Sequence, residues 1–435
     1  MKTILQFGEG NFLRAFAQDY LQSAVENGYN GKAVICQPRK NTKVINALKA
    51  QNCEYTVIKA GLLDGSVVNE TRKITCVAEC IDSVGEYEKL CALFESDGLR
   101  LVISNTTEAG IAFNENDSQG DIFNAQFPAK LCVLLYKRYL AGKNGLVFLP
   151  VELIENNGNE LKKCILNYAE LFALPSDFSD YVNNSYSFCN TLVDRIVTGH
   201  QSGSNDPCSV SCEPYKSFVI EADERAKGVI PFSGVTYTDD LSPYRTRKVR
   251  ILNGVHTMSV LAGYMAGFDI VRDMVNDVLF SAYIEKVLSE IKPTIGLDCE
   301  DFAASVIERF KNPFIDHKLL DISLNSVSKF RVRCLDTILD YYSSFNALPE
   351  TLVFSLAALF AFYLKVGNRE YELRDNEDVL SFFESNPSVN DILKNTAFWG
   401  RDLTEINGFS ELCSADFELI KTKGITSAIR EIISE

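Results

Sequence analysis

The chain has 435 residues, 46% of them apolar and 23% charged, and its 43 Lys and Arg against 58 Asp and Glu give a net charge of −15. That is the make-up of an ordinary globular protein of two or three domains. The negative balance excludes nucleic acid and anionic membranes as partners, because both demand a basic footprint. With only three histidines, His200, His256 and His317, no metal site is expected.

Thirteen cysteines, an odd number with no CxxC spacing, are expected to be buried thiols in a reducing compartment. The apolar stretch near Ile4-Leu5 is too short for a signal peptide. The longest apolar run, Leu352–Leu364, falls short of the ~20 residues that span a bilayer. A cytoplasmic protein is expected.

The first element is the apolar run Thr3–Phe7, a strand that leads directly into Gly8-Glu9-Gly10-Asn11-Phe12-Leu13-Arg14. Gly8 suits a tight turn, and Gly10 lets the backbone approach a pyrophosphate at the start of a helix. Leu13 stands where the dinucleotide fingerprint has its third glycine. Phe12, Phe16, Tyr20, Leu21 and Ala24 then repeat with a helical period. A second strand, Ala33–Cys36, ends at Gln37-Pro38-Arg39-Lys40 without the acid that bonds NAD ribose hydroxyls. Gln37 suits a hydroxyl and Arg39 with Lys40 a phosphate, so NAD and NADP both stay open.

Residues 55–78 are expected to form a hairpin inserted in the domain, with turns at Gly61 and Asp64-Gly65. Further buried strands are expected at Leu99–Ile103 and Leu146–Val151. Asn105 and Thr106 follow the first of these, where cofactors lie in open α/β sheets, and Glu152 follows the second, suited to substrate contact or helix capping. Residues 202–214 are expected to be a loop, with strands following at Phe218-Val219-Ile220 and Val229-Ile230. Asp194-Arg195 is expected to be a structural or cofactor-side pair. The fold class is therefore α/β, with a Rossmann-like doubly wound domain over 1–240 and a mostly α-helical substrate and catalytic domain over 241–435.

The second domain opens on an acid-free basic stretch containing Arg245, Arg247, Lys248 and Arg250. On an ideal α-helix with Lys248 at zero, Asn253 falls at about 140° and His256 at about 80°, one broad face. A partly desolvated lysine can exchange a proton with a carbonyl or alcohol, an amide can bond the alkoxide, and a histidine can orient either. By themselves the three also fit an ordinary surface helix. Ser328-Lys329-Phe330-Arg331-Val332-Arg333 is a second basic cluster, whose alternation would point Lys329, Arg331 and Arg333 one way if extended and would spread them if helical. Phe398-Trp399 is expected to be packing.

Three ordered motifs, Gly8-x-Gly10-x-Phe12-x-Arg14, Asn190-Thr-Leu-Val-Asp194-Arg195-Ile196 and Lys248-x4-Asn253-x2-His256, resemble the mannitol dehydrogenase family of long-chain polyol and uronate dehydrogenases. Gln37-Pro38, Pro150–Gly158, Asn312–His317 and Leu324–Lys329 resemble its uronate-acting branch. Two departures from its mannitol-acting members are Leu153, where they carry an oxyanion-binding Asn, and Asp321, where they carry a substrate-binding Arg.

The resemblance implies a metal-free, NADH-dependent, reversible reduction of tagaturonate to altronate, with Lys248 as general acid/base and Asn253 and His256 positioning the reacting oxygen. It implies a cofactor side of Phe7, Gly8, Gly10, Asn11, Phe12, Gln37, Asn105 and Thr106. It also implies a small anionic sugar acid as substrate, with Asn325 and His317 as contacts. The carboxylate of such a substrate needs a cation, for which Lys329 is the first candidate and Arg331 the reserve, beside Glu152. Alternatives are activity on fructuronate, mannitol or a sugar phosphate, or an NAD-binding sensor without catalysis.

Overall fold

The structure is a computed structural model that describes residues 2–38, 41–107, 109–200, 204–367 and 369–434. Arg39 and Lys40, considered above as phosphate contacts, lie outside them. The chain divides into two compact units, Met1–Ala60 with Val67–Leu241, and Gly61–Ser66 with Ser242–Glu435.

The first unit is built on β1 (Lys2–Phe7), β2 (Gly31–Gln37), β3 (Tyr55–Leu63), β4 (Ser66–Ile74), β5 (Val77–Asp82), β6 (Leu99–Ser104), β7 (Val147–Pro150) and β8 (Ser187–Phe188). Six of these form one parallel sheet in the order β5-β2-β1-β6-β7-β8. With β3 and β4 set aside as an insertion, this is the 3-2-1-4-5-6 order of dinucleotide-binding sheets. The strands read as continuous apolar runs because both faces are covered. Ile4, Ile35, Leu101 and Ile103 pack into one core, while their neighbours Leu5, Phe7, Val34, Cys36 and Val102 pack into the other.

Two expectations are corrected here. Val229-Ile230 is not a strand but follows the helix Glu224–Lys227, where the Ala226 carbonyl accepts both amide hydrogens. The span 202–214 is not all loop: Val210–Cys212 forms a strand that pairs parallel to β3.

Asp19 is buried in the first unit, and four cations converge on its carboxylate. Lys59 Nζ lies 2.9 Å and Arg72 Nη1 2.7 Å from Oδ1, and Arg195 Nη1 lies 2.9 Å and Lys216 Nζ 2.8 Å from Oδ2. Arg195 therefore pairs with Asp19, rather than with the Asp194 beside it in sequence. Burial by itself would raise the Asp19 carboxyl, but Lys216, Arg195 and Lys59 hold it well below the usual carboxylate range.

The second unit is helical. Glu350–Tyr363 is buried from Thr351 onward and packs against Val255–Met265, Val278–Ile291 and Phe409–Lys423. Its N-terminus is held by the buried carboxylate of Glu290, which accepts from the Thr351 and Leu352 amides at 3.0 Å each. Trp399 is buried, with its indole N–H donating to the Ile392 carbonyl. All thirteen cysteines are free thiols in the interior. Among the described residues, no helix is long and apolar enough to cross a membrane, and no group of His, Cys, Asp or Glu is arranged to hold a metal ion.

Candidate active site

In the first unit the C-terminal ends of β1 and β6 meet at Gly8. Its φ is +116°, and a Cβ would lie 2.8 Å from the Asn105 carbonyl oxygen and 3.2 Å from Leu13 Cδ1, so only glycine fits. Gln6, buried in β1, braces the turn by donating to the Gly8 carbonyl at 2.7 Å. Gly10 begins the helix Asn11–Ala15 with open space where a Cβ would point. The turn is further tied by Arg14, which donates to the carbonyls of Glu9 and Cys208 and to Asn11 Oδ1. A cradle with a compulsory glycine on one side and free room above the other fits a pyrophosphate approaching along the backbone.

The other residues expected on the cofactor side are held in different states. Phe7 ends β1 in the core, and Phe12 stacks on Phe16 at 4.9 Å. Gln37 is buried at the end of β2, its amide donating to the Asn41 carbonyl, while its Oε1 has no partner among the described residues. Asn105 is half-buried, with its backbone N–H donating to Phe7 O at 3.0 Å.

Glu152 is buried and internally engaged: Oε1 accepts from the Thr106 amide and hydroxyl, each at 3.0 Å, and Oε2 from Ser104 Oγ at 3.1 Å. Burial raises its carboxyl, opposed by these bonds. It is a strut beneath the Asn105-Thr106 turn, and the Thr106 hydroxyl is committed to it. His200 lies 3.0 Å from Ser209 Oγ through Nδ1.

In the second unit the segment carrying Lys248 is not a plain α-helix. An α-helical turn, Ser242–Arg247, passes into a π-helix over Lys248–Gly254 and then into the α-helix Val255–Met265. In an i→i+5 helix, residues five apart lie nearly one above the other, so Asn253 comes into line with Lys248 rather than far round the face. His256 follows three residues later in α geometry, on the same side as Asn253. Wide turns of this kind recur at functional sites. Lys248, Asn253 and His256 are all half-buried, and the Asn253 amide has no hydrogen-bond partner among the described residues.

A second π-helix, Arg331–Leu335, continues the helix Ser326–Phe330 and packs against the first. The contact is close: a Cβ on Gly254 would lie 3.5 Å from the Arg333 carbonyl oxygen. The basic cluster is therefore helical, the geometry that spreads Lys329, Arg331 and Arg333 rather than pointing them one way. Arg331 is exposed, with its guanidinium against Gly400 and directed to the Ala397 carbonyl. The charges of Lys329 and Arg333, four residues apart, both act on His256. Lys329 Nζ donates to the Ile322 carbonyl at 2.9 Å, and burial followed by Arg333 pushes its pKa down. Asn325 adopts φ +54° as it opens this helix, its carbonyl accepting from the Lys329 amide.

His256 is at the centre of the group. Its ring stacks on Phe310 at 3.9 Å and meets His317 edge-on at 5.6 Å, and its Nε2 is shielded from solvent without a partner among the described residues. Burial pushes its pKa well below the usual histidine value, and His317, Arg309, Arg333 and Lys329 add to the shift. A His pKa that is depressed on folding leaves the ring neutral through the physiological range. His256 ring resonances should therefore stay flat between about pH 6 and 8. A titration near pH 6.5 in an NMR series on a labelled protein would contradict this.

Comparison with known proteins follows the same division. Residues 2–234 match the mannitol dehydrogenase Rossmann domain, and residues 240–421 match the mannitol dehydrogenase C-terminal domain. The chain belongs to the mannitol dehydrogenase family. Among curated relatives, altronate oxidoreductase of Bacillus subtilis (strain 168) is 37% identical, covering 98% of this chain and 94% of its own length. Altronate oxidoreductase of Yersinia enterocolitica is 36% identical, over 98% of this chain and 96% of its own. Among solved structures, a substrate-free D-sorbitol dehydrogenase superposes with a TM-score of 0.85 at 20% identity, covering 98% of this chain and 94% of that one. Mannitol 2-dehydrogenase of Pseudomonas fluorescens, solved with NAD and D-mannitol, gives 0.71 at 21%, covering 100% and 94%. These two likenesses place the fold within the family.

The two departures from mannitol-acting members have plain structural counterparts. Leu153 is exposed, and Asp321 lies 3.3 Å from Arg374, whose guanidinium also donates to the Leu320 carbonyl.

Proposed function

We propose that this member of the family catalyses the reversible, NADH-dependent reduction of tagaturonate to altronate. The observation that carries the reading is the alignment of Lys248, Asn253 and His256 across a π-helical turn, next to a cationic group holding Lys329 and Arg333. The relatives named altronate oxidoreductase, at 33–37% identity over nearly the whole chain, support the substrate. The open cradle at Gly8 and Gly10 suits a dinucleotide, and the unpartnered Gln37 oxygen suits a ribose hydroxyl.

When bound, the reduced nicotinamide supplies the hydride to the carbonyl carbon. Lys248 gives its proton to the carbonyl oxygen, so that the ketone gains a hydride and a proton and becomes the alcohol. The Asn253 amide donates to the same oxygen as negative charge develops, a preorganised contact that strengthens toward the transition state. Neutral His256 offers a ring nitrogen to the sugar without adding a charge to the Lys329–Arg333 neighbourhood. In the oxidation direction Lys248 must begin neutral, so rising pH favours oxidation and falling pH reduction.

A panel of tagaturonate, fructuronate, fructose and fructose phosphates, each with NADH and NADPH, tests the reading. Tagaturonate with NADH is expected to give the highest kcat/KM. A neutral ketohexose exceeding both uronates would overturn the substrate assignment, and a preference for NADPH the cofactor assignment.

A further inference from the structure

Arg333 is a cation partly withdrawn from water in the second unit. It is half-buried on the π-helix that packs against the Lys248–Gly254 turn. Its one hydrogen bond is a long contact of 3.4 Å from Nη1 to Thr257 Oγ1, and among the described residues no carboxylate forms an ion pair with it. Four other arginines of this unit have acidic partners: Arg250 with Asp340, Arg272 with Asp316, Arg369 with Asp269 and Arg374 with Asp321. Burial pushes the pKa of Arg333 down, the sign of a guanidinium withdrawn from water without a counter-charge.

A cation kept in that state is costly unless an anion completes it. The neighbours narrow the choice of anion. Thr257, which Arg333 touches, follows His256 directly, and the charge of Arg333 is felt at the His256 ring. Lys329 lies one helical turn away, anchored by Ile322 O. The planar fork of an arginine matches a carboxylate through two parallel N–H···O bonds, whereas a lysine acts as a point charge.

Building on the function proposed above, we propose that Arg333 reads the carboxylate of the sugar acid and sets the preference for acidic over neutral substrates. Lys329 supports it as a second positive charge. Arg331, two residues earlier and directed at Ala397, takes no part.

The test compares kcat/KM for tagaturonate with that for fructose in the wild type, R333Q and R333K, with thermal melting as a check on folding. The acid-to-neutral ratio is expected to fall on the order of 10- to 100-fold in R333Q, the worth of a charge-assisted pair, through KM more than kcat. R333K, which keeps the charge and loses the fork, should fall between. Added guanidinium should restore part of the tagaturonate rate in R333A. A wild type active on tagaturonate whose folded R333Q variant keeps its ratio would overturn this proposal alone. A wild type inert toward every hexuronate would overturn the proposed function and this assignment with it. If R333Q does not fold, R333K decides: an unchanged ratio counts against the assignment and a lowered one for it.

Discussion

Replacing Lys248 with Met is expected to lower kcat for ketone reduction by roughly 10²- to 10⁴-fold, the usual worth of a positioned general acid. Binding of NADH, followed by its fluorescence, should change little, because the candidate cradle around Gly8 and Gly10 belongs to the first unit and Lys248 to the second. Methionine keeps the aliphatic bulk of the lysine stem, so the π-helical turn has no packing reason to collapse. A small primary amine added to the variant should recover part of the rate, more effectively as its own pKa approaches the assay pH. The wild-type oxidation rate should rise with pH, and that dependence should flatten in the variant. Unchanged turnover in Lys248→Met would remove the lysine from the mechanism.

The second large effect concerns stability. Asp19→Asn keeps the shape of the side chain but leaves Lys59, Arg72, Arg195 and Lys216 around a neutral amide. Removing one partner from a buried ionic group typically costs about 3–5 kcal/mol, much of it the penalty of the charges left behind. The sign of the pH dependence follows from the shift. Asp19 has a depressed carboxyl in the folded state, so its contribution is fully present above its ordinary value of 3.8 and is lost as the pH falls below it toward the folded value.

The wild type should therefore lose stability through this group under acid, while Asp19→Asn should be weak at neutral pH and less sensitive to acid. Trp399, the only tryptophan, lies in the second unit, so its fluorescence follows that unit while circular dichroism follows both. In urea the variant should show circular dichroism falling before the tryptophan signal. Coincident transitions at the wild-type midpoint would show that the ion cluster contributes little.

The parts of the fold written locally in the chain were readable from sequence. β1, β2, β6 and β7 are apolar runs covered on both faces, and the glycine at position 8 follows the first of them at once. β5 was hidden because Glu79 and Asp82 break its apolar character, and its role depends on pairing with β2 across the inserted hairpin. Val229-Ile230 misled because two apolar β-branched residues suit a strand, yet the turn after Glu224–Lys227 claims them. Asp19 could not have been matched to partners at 59, 72, 195 and 216, since only the folded chain brings them together.

In the candidate site, Lys248, Asn253 and His256 were legible as a spacing. The π-helical turn that aligns them was not, because nothing in the residue types marks an i→i+5 bond. The proposed role of Arg333 likewise rests on a helical backbone over 326–335, which the alternation of charged and apolar residues there did not show.

The π-helical turn has a consequence for how this unit meets two demands with one helix. The face of Val255, Met258 and Ala262 is packed in the helical core and fixed in rotational phase, while on the proposed mechanism Lys248 must point toward the reacting oxygen. In a continuous α-helix those two directions are locked, since each residue advances by about 100°. A wider turn inserted between them acts as an angular offset, allowing the end that carries Lys248, the proposed proton donor, to be set independently of the packed end. The facing offset at Arg331–Leu335 does the same for Arg333.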